Sequence, residues 1–168
     1  MSARSAADAG ALAARIRRLE DIEAIRALRG HYHDYLNSGR FELISGLYTA
    51  DARVRIDAVA AADGTEAIHD FFLSIPRGLK LIKQFIHNHL VEVDGDAATG
   101  IAYMDARYGA RGESLIVTGK FDERYARTAD GWRISETLVT LNFSVPITIG
   151  WAGPDLHYIP GATGRKPE

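Results

Sequence analysis

QFIHNHLVEVDGDAATGIAYM, residues 84–104, is the stretch that decides the fold. Residues 84–93 read as a strand and run into Asp94-Gly95-Asp96. A second strand-like run then begins at Ala97 and continues to Tyr108. Asp-Gly between two such runs is hairpin chemistry, because glycine supplies the positive φ that a tight turn needs. Working outward, the turn GARGE (109–113) leads into ESLIVTGKFDERY (113–125). The turn ARTADG (126–131) leads into WRISETLVTLNFSV (132–145). Four strands joined by short turns predict an antiparallel meander.

Upstream the period changes. Leu12, Ile16 and Leu19 recur at helical spacing, and a second series follows at Ile22, Ile25, Leu28, Tyr32, Tyr35 and Leu36. NSGR (37–40) is a helix stop, with Gly39 free to take positive φ. FELISGLY (41–48) predicts a short helix, ARVRID (52–57) a strand, and DGTEAIHDFFLS (63–74) a helix facing inward through Ile68, Phe71 and Phe72. IPRGLK (75–80) should break that helix. Helices followed by a long antiparallel sheet define an α+β domain. The expected shape is a cone: a strongly curved, mixed or antiparallel sheet wrapped around the N-terminal helices, with an interior cavity. One domain is expected over residues 1–150. Residues 151–168 would be a C-terminal extension with a disordered end.

The 168 residues suffice for one hydrophobic core. With 46% hydrophobic and 25% charged residues, the composition is that of an ordinary globular protein. The absence of cysteine excludes disulfides, thiolate ligands and cysteine nucleophiles. A net charge of -2 argues against a nucleic-acid partner. No apolar run reaches the roughly 20 residues of a membrane span. The alanine- and arginine-rich start lacks the features of a secretory signal, so a cytoplasmic location is the default expectation.

The order of elements resembles the NTF2-like fold, and within it the SnoaL-like group. Four stretches carry the resemblance: IRALRGHYHDYLNSGRFELISGLYTADARVRID (25–57), DGTEAIHDFF (63–72), QFIHNHLVEVDGDAATGIAYM (84–104) and GKFDERYARTADGWRISE (119–136). Members include polyketide cyclases, scytalone and bile-acid dehydratases, a dehydrochlorinase and non-catalytic binding proteins, so the fold does not decide the chemistry. The dehydratase and dehydrochlorinase members use an Asp–His pair. The resemblance puts Asn37 at the aspartate position and Gln84 at the histidine position. Asn88 matches a common asparagine, and Asp105 falls near a second acidic position of the bile-acid dehydratases. Amides donate and accept hydrogen bonds but do not titrate, so an Asn–Gln pair cannot abstract a proton.

Strand parity puts Gln84, Ile86, Asn88 and Leu90 on one face, and Phe85, His87, His89, Val91 and Val93 on the other. The resemblance turns the Gln84/Asn88 face toward the cavity and both histidines away. A β-bulge between 84 and 89 would reverse part of this. On the long helix, Tyr32 shares the inward face with Ile25, Leu28 and Leu36. It is either a core aromatic or a proton donor reaching the cavity. His31 on its flank is a candidate base, and His33 reads as a surface residue. Tyr103, Asp105 and Arg107 alternate onto one face. A buried Asp105 would be costly unless paired, and would be either an acid–base group or a structural ion pair. Asn142, near the end of the last strand, is a further ligand contact. No HExxH or facial-triad spacing appears, so no metal is expected.

Two functions follow. The first is a cofactor-independent lyase, cyclase or isomerase acting by proton abstraction on a small apolar or polycyclic carbonyl compound. Tyr32, His31 and Asp105 would be its catalytic groups, and Asn37, Gln84, Asn88, Tyr103 and Asn142 its substrate contacts. The alternative is a non-catalytic small-molecule-binding or accessory protein. In either case an apolar outer sheet face (Phe85, Val91, Val93) implies a homodimer or homotrimer.

Overall fold

A computed structural model of the chain describes residues 3–57 and 59–151, with side-chain surroundings from residue 8 onward. One continuous helix, α1 (Ala3–Ser38), takes in both of the expected helical series. Residues 8–20 are exposed along it, including Leu12, Ile16 and Leu19. From Ile25 on, a broad stripe is buried: Ile25, Leu28, Arg29, Tyr32, His33 and Leu36. The helix ends in a Schellman motif. Gly39 adopts φ 73°, the Arg40 N–H donates to the Tyr35 carbonyl at 2.8 Å and the Gly39 N–H to that of Leu36 at 3.3 Å.

A 3-10 segment (Phe41–Leu47) leads into β1 (Tyr48–Ile56). β2 (Ala60–Asp63) returns beside it. This short edge strand was not foreseen, because Ala60-Ala61-Ala62-Asp63 has too few large side chains to show alternation. Helix α2 (Gly64–Gly78) buries Ile68 and Phe72. It runs on past Pro76 rather than breaking at 75. A proline so near the C-terminus deletes one hydrogen bond of the last turns and leaves the rest of the helix intact.

The meander follows as anticipated: β3 (Leu81–Asp94), β4 (Ala97–Ala110), β5 (Glu113–Thr128) and β6 (Gly131–Pro146). The order across the sheet is β2-β1-β6-β5-β4-β3. All neighbours pair antiparallel except β1 with β6, which run parallel. The fold is therefore α+β with a mixed sheet, but the strongly curved cone is not found. The sheet is open and not strongly curled: β2 and β3 stand at opposite edges and do not pair. The parallel entry of β1 beside β6 extends the sheet sideways instead of closing it, and the interior space is made by laying helices on one face.

That inner face carries Met104, Ala106, Val117, Phe121, Val139 and Leu141, and α1, α2, the 3-10 segment and β1 pack further core residues with the sheet. Asp21 ties α1 to the sheet. Its carboxylate accepts from Trp132 Nε1 at 3.0 Å and from Arg127 Nη2 at 2.7 Å. These donors hold its pKa below the ordinary carboxylate value, Arg127 being the larger influence. Among the described residues no helix is long and apolar enough to cross a membrane. The extension expected over 151–168 lies, from residue 152, outside the described residues.

Candidate functional site

A cavity of about 370 Å³ lies between α1, α2 and the inner face of the sheet. This is the lower range for small-molecule sites. Its walls are almost wholly apolar: Leu36 and Tyr32 from α1, Phe71, Phe72 and Ile75 from α2, and Ile82, Met104, Phe121, Val139 and Leu141 from the sheet. The polar side chains among the described lining residues are Tyr32, Ser74, Gln84 and Tyr108. Ser74 Oγ is already engaged, donating to the Phe71 carbonyl at 2.6 Å. No Asp, Glu, His, Lys or Arg is among the described lining residues.

Gln84 is the most constrained of these groups. It lies on the edge strand β3, where one side of the backbone has no strand partner. Asn37 fills that role from the end of α1. Its Oδ1 accepts from the Gln84 N–H and its Nδ2 donates to the Gln84 carbonyl, each at 2.7 Å. The Asn37 amide thus pairs with β3 as a short strand would, and it is not among the lining residues. With its backbone held from both sides, Gln84 points its buried side chain into the cavity. Nε2 donates to the Tyr108 hydroxyl at 2.5 Å, and Oε1 has no partner among the described residues. Burial pushes the Tyr108 phenol up to about 12 and the Tyr32 phenol well above its ordinary value, so both stay protonated at neutral pH.

The other anticipated residues fall elsewhere. His31 is exposed and stacks on Tyr35 with ring centroids 5.9 Å apart. Tyr103 and Asp105 lie on the outer face of β4, opposite the cavity. Asp105 pairs there with Arg107, and His87 Nε2 stands 4.0 Å from its carboxylate. Of the two roles open to Asp105, a structural ion pair on the outer face matches this surrounding. Asn88 and Asn142 are exposed and outside the lining.

Asn88 has a different consequence. The β3–β4 register shifts between His87 and His89, so Asn88 is an extra residue in the strand. A bulge restarts the alternation. Gln84 and Ile86 face inward before it, while His89, Val91 and Val93 face inward after it. The parity that turned both histidines outward holds for His87 and fails for His89. It fails likewise for the apolar outer face, because Val91 and Val93 pack against the core.

His89 leads into a buried polar network behind the cavity wall that sequence reasoning missed. His89 Nε2 meets the Tyr125 hydroxyl at 3.1 Å, and that hydroxyl donates to Glu123 Oε2 at 2.6 Å. Thr137 Oγ1 donates to Glu123 Oε1 at 2.9 Å, and the Tyr48 hydroxyl lies 3.4 Å from Thr137 Oγ1. Arg29 is fully buried. Its Nη1 stands 3.3 Å from Glu123 Oε1, an ion pair without hydrogen-bond geometry, and the guanidinium nitrogens have no hydrogen-bond partner among the described residues. Its charge lies instead against rings that line the cavity, 3.7 Å from the centroid of Phe121 and 4.3 Å from that of Tyr32. His33, expected at the surface, is buried on the same stripe, with Nδ1 at 3.1 Å from the Arg29 carbonyl. Burial first, and then the Arg29 charge, bring its pKa down to about 3. Gly100 makes the room: a Cβ there would stand 2.9 Å from both His89 Nε2 and Tyr125 Cε2. The signal available was compositional, since Arg29 and His33 lie four and eight residues from Ile25 on its helical face.

Comparison with known proteins places this geometry. A SnoaL-like domain model matches residues 17–137. An uncharacterised protein of Mycobacterium tuberculosis is 25% identical over 129 residues, covering 74% of this chain and 88% of the relative. Among solved structures, an NTF2-like protein with a cystatin-like fold from Novosphingobium aromaticivorans is 28% identical, with a TM-score of 0.65 over 78% of this chain and 88% of that one. The hexachlorocyclohexane dehydrochlorinase LinA-type3 from Novosphingobium barchaimii has a TM-score of 0.74 at 18% identity, over 87% of this chain and 99% of that one. The last likeness is one of fold. With the family model spanning most of the chain, and the helices, mixed sheet and interior cavity all present, the chain belongs to the SnoaL-like family of the NTF2-like superfamily.

Proposed function

We propose that the cavity binds a small, neutral, apolar organic molecule, and that its described side chains serve binding rather than general-base chemistry. One observation carries this: among the described lining residues the polar groups are an amide, two phenols and a hydroxyl already in use, with no carboxylate, imidazole or amine base among them. An ionic ligand would leave its charge unpaired in an apolar enclosure, at a cost of several kcal/mol on the order of that for other buried charges. A neutral ligand would bury its apolar body and direct one polar group at Gln84 and Tyr108. No cofactor enters this reading.

A second reading keeps the lyase, cyclase or isomerase class. Its support is the fold shared with a dehydrochlorinase and the Tyr32 phenol facing the cavity as a potential proton donor. Its difficulty is the base, since His31 and Asp105 lie away from the space. The two are separated by restoring the Asp–His pair. The parent and the Asn37→Asp/Gln84→His double variant are assayed for chloride release from hexachlorocyclohexane. Elimination gained only in the double variant supports a binding parent. Equal turnover by the parent overturns the binding reading.

A further inference from the structure

We infer that the ligand carries a neutral group that both donates and accepts a hydrogen bond, a hydroxyl on an apolar ring or chain, rather than the bare carbonyl implied by the family resemblance. The inference rests on the binding reading above and names the class of ligand it takes.

It starts from the Gln84–Tyr108 pair. As oriented, Gln84 Nε2 donates to the Tyr108 oxygen, leaving Gln84 Oε1 as a buried acceptor with no partner among the described residues. The Tyr108 proton is then free to be donated elsewhere. The pair therefore offers an acceptor, Oε1, with donors beside it, the Tyr108 proton and the second Nε2 proton. The amide could equally be turned over, because its oxygen and nitrogen are nearly alike in shape. Tyr108 would then donate to Oε1, leaving both Nε2 protons as donors and a Tyr108 lone pair as acceptor. Either orientation leaves an unpaired acceptor beside unpaired donors. A ketone satisfies only donors and leaves the buried acceptor orphaned. A carboxylate does the same and adds an unpaired charge. A hydroxyl satisfies the acceptor and a donor together.

Two further features make this a formed site. Gln84 is 7% exposed, and its backbone N–H and carbonyl are both held by Asn37, so the side chain is placed in the cavity wall before any ligand arrives. Tyr108 is held protonated by burial. Apart from the Tyr32 phenol and the already engaged Ser74 hydroxyl, the other described walls are apolar.

The test uses four compounds of one ring system: naphthalene, 2-naphthol, 2-acetonaphthone and 2-naphthoate. Binding to the full chain is measured by equilibrium dialysis at pH 7. The expected result is 2-naphthol tighter than 2-acetonaphthone by about tenfold, the effect of one orphaned buried acceptor, with 2-naphthoate weakest. In the Gln84→Leu/Tyr108→Phe double variant the naphthol advantage over naphthalene disappears. The variant's fold is checked separately, by a far-UV circular dichroism spectrum and a cooperative thermal transition that match the parent's. A ketone that binds as tightly as 2-naphthol, or a naphthol advantage that survives in the double variant, overturns the inference and leaves the apolar cavity standing. Failure of all four compounds to bind overturns the cavity reading, and the inference with it.

Discussion

His33 shows how a single side chain can change meaning between sequence and fold. Between Tyr32 and Asp34 on a helix it looks solvent-facing, yet it is packed edge-on against Tyr32 and Phe121. Burial there disfavours the charged form, and its pKa falls from 6.5 to about 3. The unfolded chain therefore takes up a proton near pH 6.5 that the folded chain refuses until about pH 3. Where the unfolded state binds more protons, stability rises with pH. The contribution of His33 is complete above pH 6.5 and is lost progressively as the pH falls. Between pH 7 and 5 it should lower stability by about 2 kcal/mol. His89, also shifted down by burial, acts in the same direction. Urea unfolding at the two pH values, on the parent and on His33→Gln, checks this. The drop should shrink by about 2 kcal/mol in the variant, and an unchanged pH dependence would contradict it.

At the level of elements, the junction between α1 and β3 holds the site together. Asn37 joins them by two hydrogen bonds to one residue, Gln84. Asn37→Ala would leave an edge-strand N–H and C=O without partners, at a cost of about 1–3 kcal/mol. It should also weaken 2-naphthol binding several-fold while sparing naphthalene, because Asn37 acts on the ligand only through the orientation of Gln84. Equal loss for both compounds would mean that the cavity itself had changed. The four-stranded meander was legible because long alternating runs end in Asp-Gly and Gly-rich turns. The facing of its strands was not. The inner face of β4 is Ala98, Gly100, Ala102, Met104 and Ala106, too small to announce a core, so Tyr103 and Asp105 drew attention from the outer face. The bulge at Asn88 is fixed by pairing with β4, which no local pattern on β3 records. The Arg29–Glu123 pair was invisible for a related reason: buried charges have the same letters as solvated ones, and their partner lies 94 positions away (123 minus 29) in the chain. The cavity-facing glutamine was legible, because the resemblance singled out position 84.

The molecule as a whole has one well-covered sheet face and one that is open to solvent. On the open face Phe85, Leu90, Ile101, Tyr103 and Leu138 are exposed, with Leu90 59% accessible. Register sets several of them side by side: Leu90 opposite Ile101, Ile101 opposite Asp122, and Asp122 opposite Leu138. The first half of α1 adds a second exposed stripe of Leu12, Ile16 and Leu19. The apolar members of the sheet row, interrupted by Asp122 with its Lys120 ion pair, gain from being covered, at roughly 25 cal/mol for each Å² removed from water. A second and third copy of the same chain is the cover that symmetry provides most readily. The expected outcome is a homodimer or homotrimer at micromolar concentration, measured by size-exclusion chromatography with light scattering. Leu90→Lys with Ile101→Glu puts two charges into the row without touching the cavity, since both side chains are on the opposite face. It should shift the chain toward monomer and leave naphthalene binding intact. If Leu12→Glu with Leu19→Glu dissociates the assembly instead, the helix stripe is the covered surface. A parent that runs as a monomer would show that both stripes are simply tolerated in water.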